Sequence, residues 1–296
     1  MIKRFRGSPA EASYQVVVHF TIAVVALSAL LPLVYVVGMS LTSQGELIAR
    51  NYFVIIPNEP TIEAYRRLLS SKVLWNSVFI SVFRTVVGPL VTIAFTVAGA
   101  YVLAKKDLPG RRILLTMVLV TILFRGGLIP SYLVMQQTGL LNTVWALILP
   151  LAVDSFGLLV IKMFIENIPT ELTDAAQIDG VNEWQMMTRL IVPLAAPAIA
   201  AIAMFNIVTH WISWFDALVY LQDQSLYPLQ LVLRNMLSSE AGSLNDQMLQ
   251  SLADSQRIGP ESLKMATVVV SIIPILMVYP FLQKHFIRGV YMGAVK

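Results

Sequence analysis

The sequence predicts an all-α integral membrane protein of six transmembrane helices, and three observations carry that prediction. The 296 residues are 57% hydrophobic and only 13% charged, where a soluble protein carries about 25% charged residues, and the mean hydropathy is +0.72. The apolar residues come in long blocks, six of which reach the roughly 20 residues needed to cross a hydrocarbon core about 30 Å thick. The charges gather between the blocks. In a bilayer the backbone must satisfy its own polar groups, which makes each block a helix. No repeat, low-complexity tract or soluble domain interrupts the pattern, so residues 1–296 read as one transmembrane domain.

The first span is 16–38, with Pro32 tolerated inside a membrane helix. The start, MIKRFRGSPAEASYQ, is basic. The apolar run after it is too long for a signal-peptide core, so it reads as a retained helix. Residues 39–73 contain YFVIIPNEPTIEAYRRLLS, a Pro-bounded turn followed by a short amphipathic helix from Thr61, with Glu63 in its first turn. The second span is 74–104, where Gly88-Pro89 predicts a kink. The third is 113–135, interrupted by Gly126-Gly127 and Pro130. The fourth is 143–165 and the fifth 194–217. The outer loop 218–264 is polar and net acidic, with a short helix in PLQLVLRNML and a mobile tip at Ser238, Ser239, Gly242 and Ser243 around Glu240. The sixth span is 265–282.

Orientation follows from the short loops. Lys105, Lys106, Arg111 and Arg112 crowd the loop after the second span, and the next loop carries no charge, so the positive-inside rule places the first in the cytoplasm. Both termini, with Lys3, Arg4, Arg6, Lys284, Arg288 and Lys296, then lie in the cytoplasm too. The net charge of +4 belongs to such loops and implies no nucleic-acid partner.

The loop 166–193 lands on the same side and departs from the charge rule. Glu166, Glu171, Asp174, Asp179 and Glu183 stand against Lys162 and Arg189, which suits a basic partner surface. Its sequence, ELTDAAQIDGVNEWQMMTRLIVPLAAP, reads as a short helix, a break at Gly180 and a second amphipathic piece leading to Pro193. Asp174-Ala175-Ala176, then Gly180, then Leu190, then Val192-Pro193 resembles the EAA loop of the membrane subunit of bacterial ABC importers, at the family's spacing. Asp replaces Glu, Leu replaces Ile and Val replaces Leu.

Other stretches are similar to the carbohydrate branch of these permeases: PNEPTIEAYRRLLS, LWNSVFISVFRTV, GGLIPSYLVMQQTGLLNTVWALILP and IIPILMVYPFLQKHFIRGVYMGAVK. The Gly-Gly-Leu-Ile-Pro form is similar to importers of complex or acidic oligosaccharides, alginate among them. The resemblance implies a type I ABC importer permease fold and a place in the bacterial inner membrane. It also implies a second membrane permease subunit, two ATPase subunits, an extracytoplasmic solute-binding protein and a carbohydrate substrate. In that family the loop is a coupling helix seated on the ATPase, which here falls to Glu171, Asp174, Ala175, Ala176, Asp179 and Gly180.

The chain itself shows no catalytic apparatus. It has no cysteine, no phosphate-binding loop, no metal spacing among His19, His210 and His285, and no Ser-His-Asp set. No cofactor is expected on this chain; ATP and Mg²⁺ belong to the partner ATPases. Charges at membrane depth usually face a partner or a water path. Arg125 and Asp154 lie at similar depth in the third and fourth spans. They either pair, or Arg125 lines the path of an anionic sugar, or the third helix breaks there and exposes it. Arg84 in the second span raises the same question. Asn206, His210, Trp211, Trp214, Phe215 and Asp216 form a polar-aromatic cluster suited either to a sugar or to an interfacial aromatic belt. The competing class is an ATP-independent secondary transporter or channel, with Arg125 and Asp154 as its coupling charges.

Overall fold

The computed structural model describes residues 9–124, 126–238 and 259–294, and no strand occurs among them. In chain order the helices are α1 (Pro9–Ser40), α2 (Gln44–Ala49), α3 (Glu63–Ser70), α4 (Lys72–Ala104), α5 (Arg111–Leu123), α6 (Leu128–Gln137), α7 (Ser155–Glu166), α8 (Thr170–Ile178), α9 (Glu183–Gln185), α10 (Val192–Leu194), α11 (Ala196–Ile212), α12 (Phe215–Tyr220), α13 (Leu229–Leu237) and α14 (Pro260–Ala294). Arg125 and residues 239–258, which include most of the expected loop tip, fall outside the described residues. The rest forms two compact units, residues up to 71 with the start of α14, and residues 72–238 with α14 from Ser271.

In the first unit, α1 runs through Pro32 without a break. Its end is fixed by close packing: a Cβ on Gly38 would collide with the carbonyl oxygen of Ile55. The Thr42 hydroxyl donates to the Gly38 carbonyl at 2.7 Å, and the Ser43 side chain caps α2 by accepting from the Glu46 N–H. Met39, Leu47 and Val54 make a small core, with Tyr35 and Met265 against it. The amphipathic helix expected after Thr61 is α3, which buries Ala64 and Leu68.

In the second unit α4 is the spine, with α7 and α11 packed along it. Its buried positions recur every three or four residues: Ser77, Ser81, Arg84, Gly88, Thr92, Thr96, Ala100. Small and hydroxyl side chains on one face let membrane helices approach closely. The helix is continuous through Gly88-Pro89, the site where the sequence predicted a kink. Gly88 also serves packing, since a Cβ there would meet the His210 ring at 2.5 Å. At the other end Val97, Ala100 and Leu103 join Leu158, Ile161 and Ile165 of α7 and Ile202 of α11 in the principal core.

The three spans between α4 and α13 in this unit are broken. Residues 124–127 separate α5 from α6, with Gly127 at φ +82°. Two 3₁₀ turns, Val144–Leu147 and Leu149–Leu151, precede α7 at a 43° bend, and the segment Glu183–Leu194 meets α11 at 81°. Three helices are long and apolar enough to cross a membrane alone (Ser13–Ser40, Lys72–Ala104, Pro260–Met277), and up to six spans result if each bent pair counts as one, the number expected. The stretch 194–217, expected to be continuous, breaks at Ser213-Trp214, where the backbone turns extended. The expected short helix in PLQLVLRNML is α13, which buries Leu229, Leu231, Val232, Leu233 and Met236.

Candidate functional site

The loop after α7 folds as a helix that stops and restarts within a few residues. Glu171 lies in the first turn of α8, where an acid suits the helix dipole. At the far end Gly180 takes φ +76°. Its N–H donates to the Gln177 carbonyl at 3.0 Å, and that of Val181 donates to Ala176 at 3.1 Å. This pair of bonds is a Schellman stop, whose left-handed residue favours glycine. Asn182 then starts α9 with a capping box: its side chain accepts from the Gln185 N–H at 2.9 Å, and Gln185 reaches back to the Asn182 N–H. A π-helix, Met186–Ile191, follows and leads into α10.

The two sides of this loop differ. Ala176, Val181, Met186 and Ile191 pack on the principal core, along with Ile168. Outward, Ala175 is exposed, Ile178 is 86% exposed and Trp184 69%. The acids also divide. Glu166 is held by Arg111 and by Lys162 at 2.8 Å. Glu183 receives Lys105 at 2.5 Å and the Tyr101 hydroxyl at 2.5 Å, while Lys105 lies 5.0 Å over the Tyr101 ring. The bond from Lys105, followed by that from Tyr101, holds the Glu183 carboxyl below the usual carboxylate range. Glu171, Asp174 and Asp179 have no ion-pair or hydrogen-bonding side-chain partner among the described residues. Two acids therefore brace the loop, and the other three meet no side-chain partner among the described residues.

The membrane-depth polar residues disperse to separate partners. Asp154 caps α7, accepting from the Gly157 N–H at 2.9 Å, and its other oxygen accepts from Asn206 at 3.3 Å. A Cβ on Gly157 would sit 2.5 Å from that carboxylate and 2.6 Å from Ile202, so α7 and α11 close on each other there. Arg125, the partner sequence reasoning offered to Asp154, is outside the described residues. Trp211 is buried and donates its indole N–H to the Ser271 carbonyl at 3.2 Å, a packing role. Asp216 pairs with Arg84, which is 0% exposed. The same guanidinium donates to the carbonyls of Ser213 at 3.2 Å and Leu147 at 3.4 Å. One cation thus ties together two interruptions of helical backbone, which at membrane depth survive only where protein covers them. The Arg84 Nε and both His210 ring nitrogens are buried without a partner among the described residues. Trp214 meets Phe215 edge-on at 5.6 Å and lies 4.3 Å beneath the Arg234 guanidinium. The sequence singled out both Arg84 and Asp216, but not that they pair across 132 residues. It missed Arg234 entirely, because one cation in an amphipathic helix gives no signal.

Residues 112–291 match the family described as the binding-protein-dependent transport system inner membrane component. The chain belongs to this family. The permease is 37% identical over 283 residues to a polygalacturonan/rhamnogalacturonan transport system permease of Bacillus subtilis, covering 96% of this chain and 98% of that one. It is 41% identical over 268 residues to the protein LplC of the same organism, covering 90% and 89%. A bacterial ABC transporter involved in the import of the acidic polysaccharide alginate contains a chain that superposes with a TM-score of 0.86 at 30% identity, covering 95% of this chain and 99% of that one. The importer-permease resemblance of the sequence and the type I permease fold it implied are both upheld.

Proposed function

We propose that this permease is the membrane subunit of an ATP-driven importer of oligosaccharides, acidic ones in particular, and that α8 with the exposed start of α9 seats on an ATPase subunit. The observation that carries the docking role is the outer side of the loop. It presents Ile178 and Trp184 to solvent beside the unpartnered acids Glu171, Asp174 and Asp179, on a turn fixed by its own caps. Apolar side chains ringed by acids fit a groove with basic edges. The inner side of the same turn is anchored in the core of α4 and α7, so a push on α8 reaches the spans. In this reading ATP and Mg²⁺ bind the ATPases, a second membrane subunit completes the path, a solute-binding protein delivers the sugar, and the spans alternate between inward- and outward-facing.

Support for the substrate class comes from the relatives: the polymers named for the Bacillus permease and for the alginate importer carry carboxylates on their sugars. The test is purification of the tagged chain from its host with its partners, followed by sugar-stimulated ATP hydrolysis. Charge reversal at Glu171 and Asp174 together is expected to release the ATPase, because truncating one side of a buried charge pair costs about 2–5 kcal/mol. A chain that purifies alone and moves solute without ATP would sink the reading.

A further inference from the structure

We propose that Arg234, stacked on Trp214, is a carboxylate contact for a uronic acid residue of the transported oligosaccharide, on the side of the membrane opposite the loop of α8. The proposal rests on the importer reading above and adds a residue and a chemistry to it.

The position follows from α4. The Leu229 N–H at the start of α13 donates to the Ser81 hydroxyl at 2.8 Å. Tyr101, on the same helix, holds Glu183 of the coupling loop. Twenty residues of helix at 1.5 Å each separate Ser81 from Tyr101, about 30 Å, which is the thickness of the hydrocarbon core. The α13 helix and the coupling loop therefore lie at opposite faces. Ser213, next to Trp214, is held by Arg84, one turn along α4 from Ser81, so Trp214 belongs to the α13 side.

The chemistry follows from what Arg234 lacks. Its side chain is half-buried, and no carboxylate pairs with it among the described residues. The nearby Asp216 is spent on Arg84, on the Ser213 hydroxyl at 2.9 Å and on the Ala217 N–H at 2.9 Å. Stacking on Trp214 satisfies one face of the guanidinium and leaves its N–H edge, a fork that matches a carboxylate in two parallel bonds. Beside it, Phe215 is 51% exposed and offers a ring to the C–H face of a pyranose. A guanidinium edge next to an open aromatic ring selects a sugar that carries an acid. A neutral sugar would use the ring and leave the cation unmatched.

The experiment uses the complete transporter in vesicles with its solute-binding protein, and two probes: trigalacturonate and its methyl ester, which keeps the rings and removes the charge. Uptake by Arg234→Gln is read as a ratio to wild type for each probe, so selection by the binding protein cancels. The expected result is a loss of about tenfold to a hundredfold for trigalacturonate, the range for a charged hydrogen bond, with the ester unchanged, basal ATP hydrolysis intact and partial recovery in Arg234→Lys. Equal loss for both probes would make Arg234 a support for Trp214 and overturn the assignment, as would no loss for either. Failure of Arg234→Gln to assemble with the second membrane subunit would assign the cation to an acid of that subunit instead. Wild-type uptake that follows the anionic-lipid content, and stops doing so in the variant, would assign it to a lipid headgroup. A wild-type complex that moves neither probe would defeat the saccharide reading itself, a result distinct from all of these.

Discussion

Arg84 shows how much one side chain decides in this molecule. It is buried, carries a full charge, and bonds one carboxylate and the carbonyls of two helix breaks. Removing it leaves Asp216 without its cation and two carbonyls bare, so Arg84→Met is expected to cost about 3–5 kcal/mol. Replacing both partners removes the stranded charge. Arg84→Met combined with Asp216→Leu should therefore unfold at a higher temperature than either single variant, measured on the purified complex in detergent. Additive losses would show that the two charges do not act as a pair. A charge in each of two apolar runs is plain in the sequence, and both residues stand out for that reason. Which charge meets which depends on how α4, α11 and α12 lie together, and nothing local to either residue encodes it. Asp154 makes a similar point: its carboxylate caps α7 and meets Asn206, contacts that its depth in the span does not specify, while Arg125 lies outside the described residues.

The loop 166–193 was the most legible element because its chemistry is local. A left-handed glycine, a capping asparagine and a following proline act on their immediate neighbours, and the helix, break and second helix fall where they direct. The π-helix Met186–Ile191 was not foreseen, although its two buried ends stand five residues apart, a spacing an α-helix cannot keep on one face. The glycine itself can be tested. A Cβ at Gly180 meets nothing within 4 Å, so bulk is not excluded there and the left-handed backbone alone is demanding. Gly180→Asn is expected to transport nearly normally, since asparagine adopts that conformation. Gly180→Val, which strains it by about 1–2 kcal/mol, should lose coupling, seen as ATP hydrolysed without sugar uptake. Equal behaviour of the two variants would move the constraint from the backbone to the surface the residue presents.

At the scale of the molecule, the apolar blocks revealed how many times the chain can cross, but not how. Composition reports that a segment is apolar. It does not report the bends before α7 and at the approach to α11: the Leu147 carbonyl in the turns before α7 is held by Arg84, 63 residues away in sequence, whereas the break between α5 and α6 was marked locally by Gly126-Gly127. The orientation drawn from Lys105, Lys106, Arg111 and Arg112 makes a direct prediction, and the absence of native cysteine makes it simple to check. A cysteine at Leu237, exposed at the end of α13, should react with an impermeant maleimide on intact cells. One at Ile178 should react only after the membrane is opened. The reverse pattern would invert the protein in the bilayer.

The two ends of α4 are fastened by very different means. In its first half Arg84 meets Asp216 with the guanidinium fully covered and the carboxylate mostly so; at its far end Lys105 and Glu183 meet in the open. Mobile ions screen the second pair and hardly touch the first, since the Debye length falls from about 10 Å at 0.1 M salt to about 3 Å at 1 M. On the proposed function, raising the salt should therefore loosen the tie between α4 and the loop 166–193 while leaving the Arg84 contacts intact, and more ATP should be consumed per sugar imported. In Glu183→Gln, where that fastening is already gone, the stoichiometry should respond less to salt than it does in the wild type.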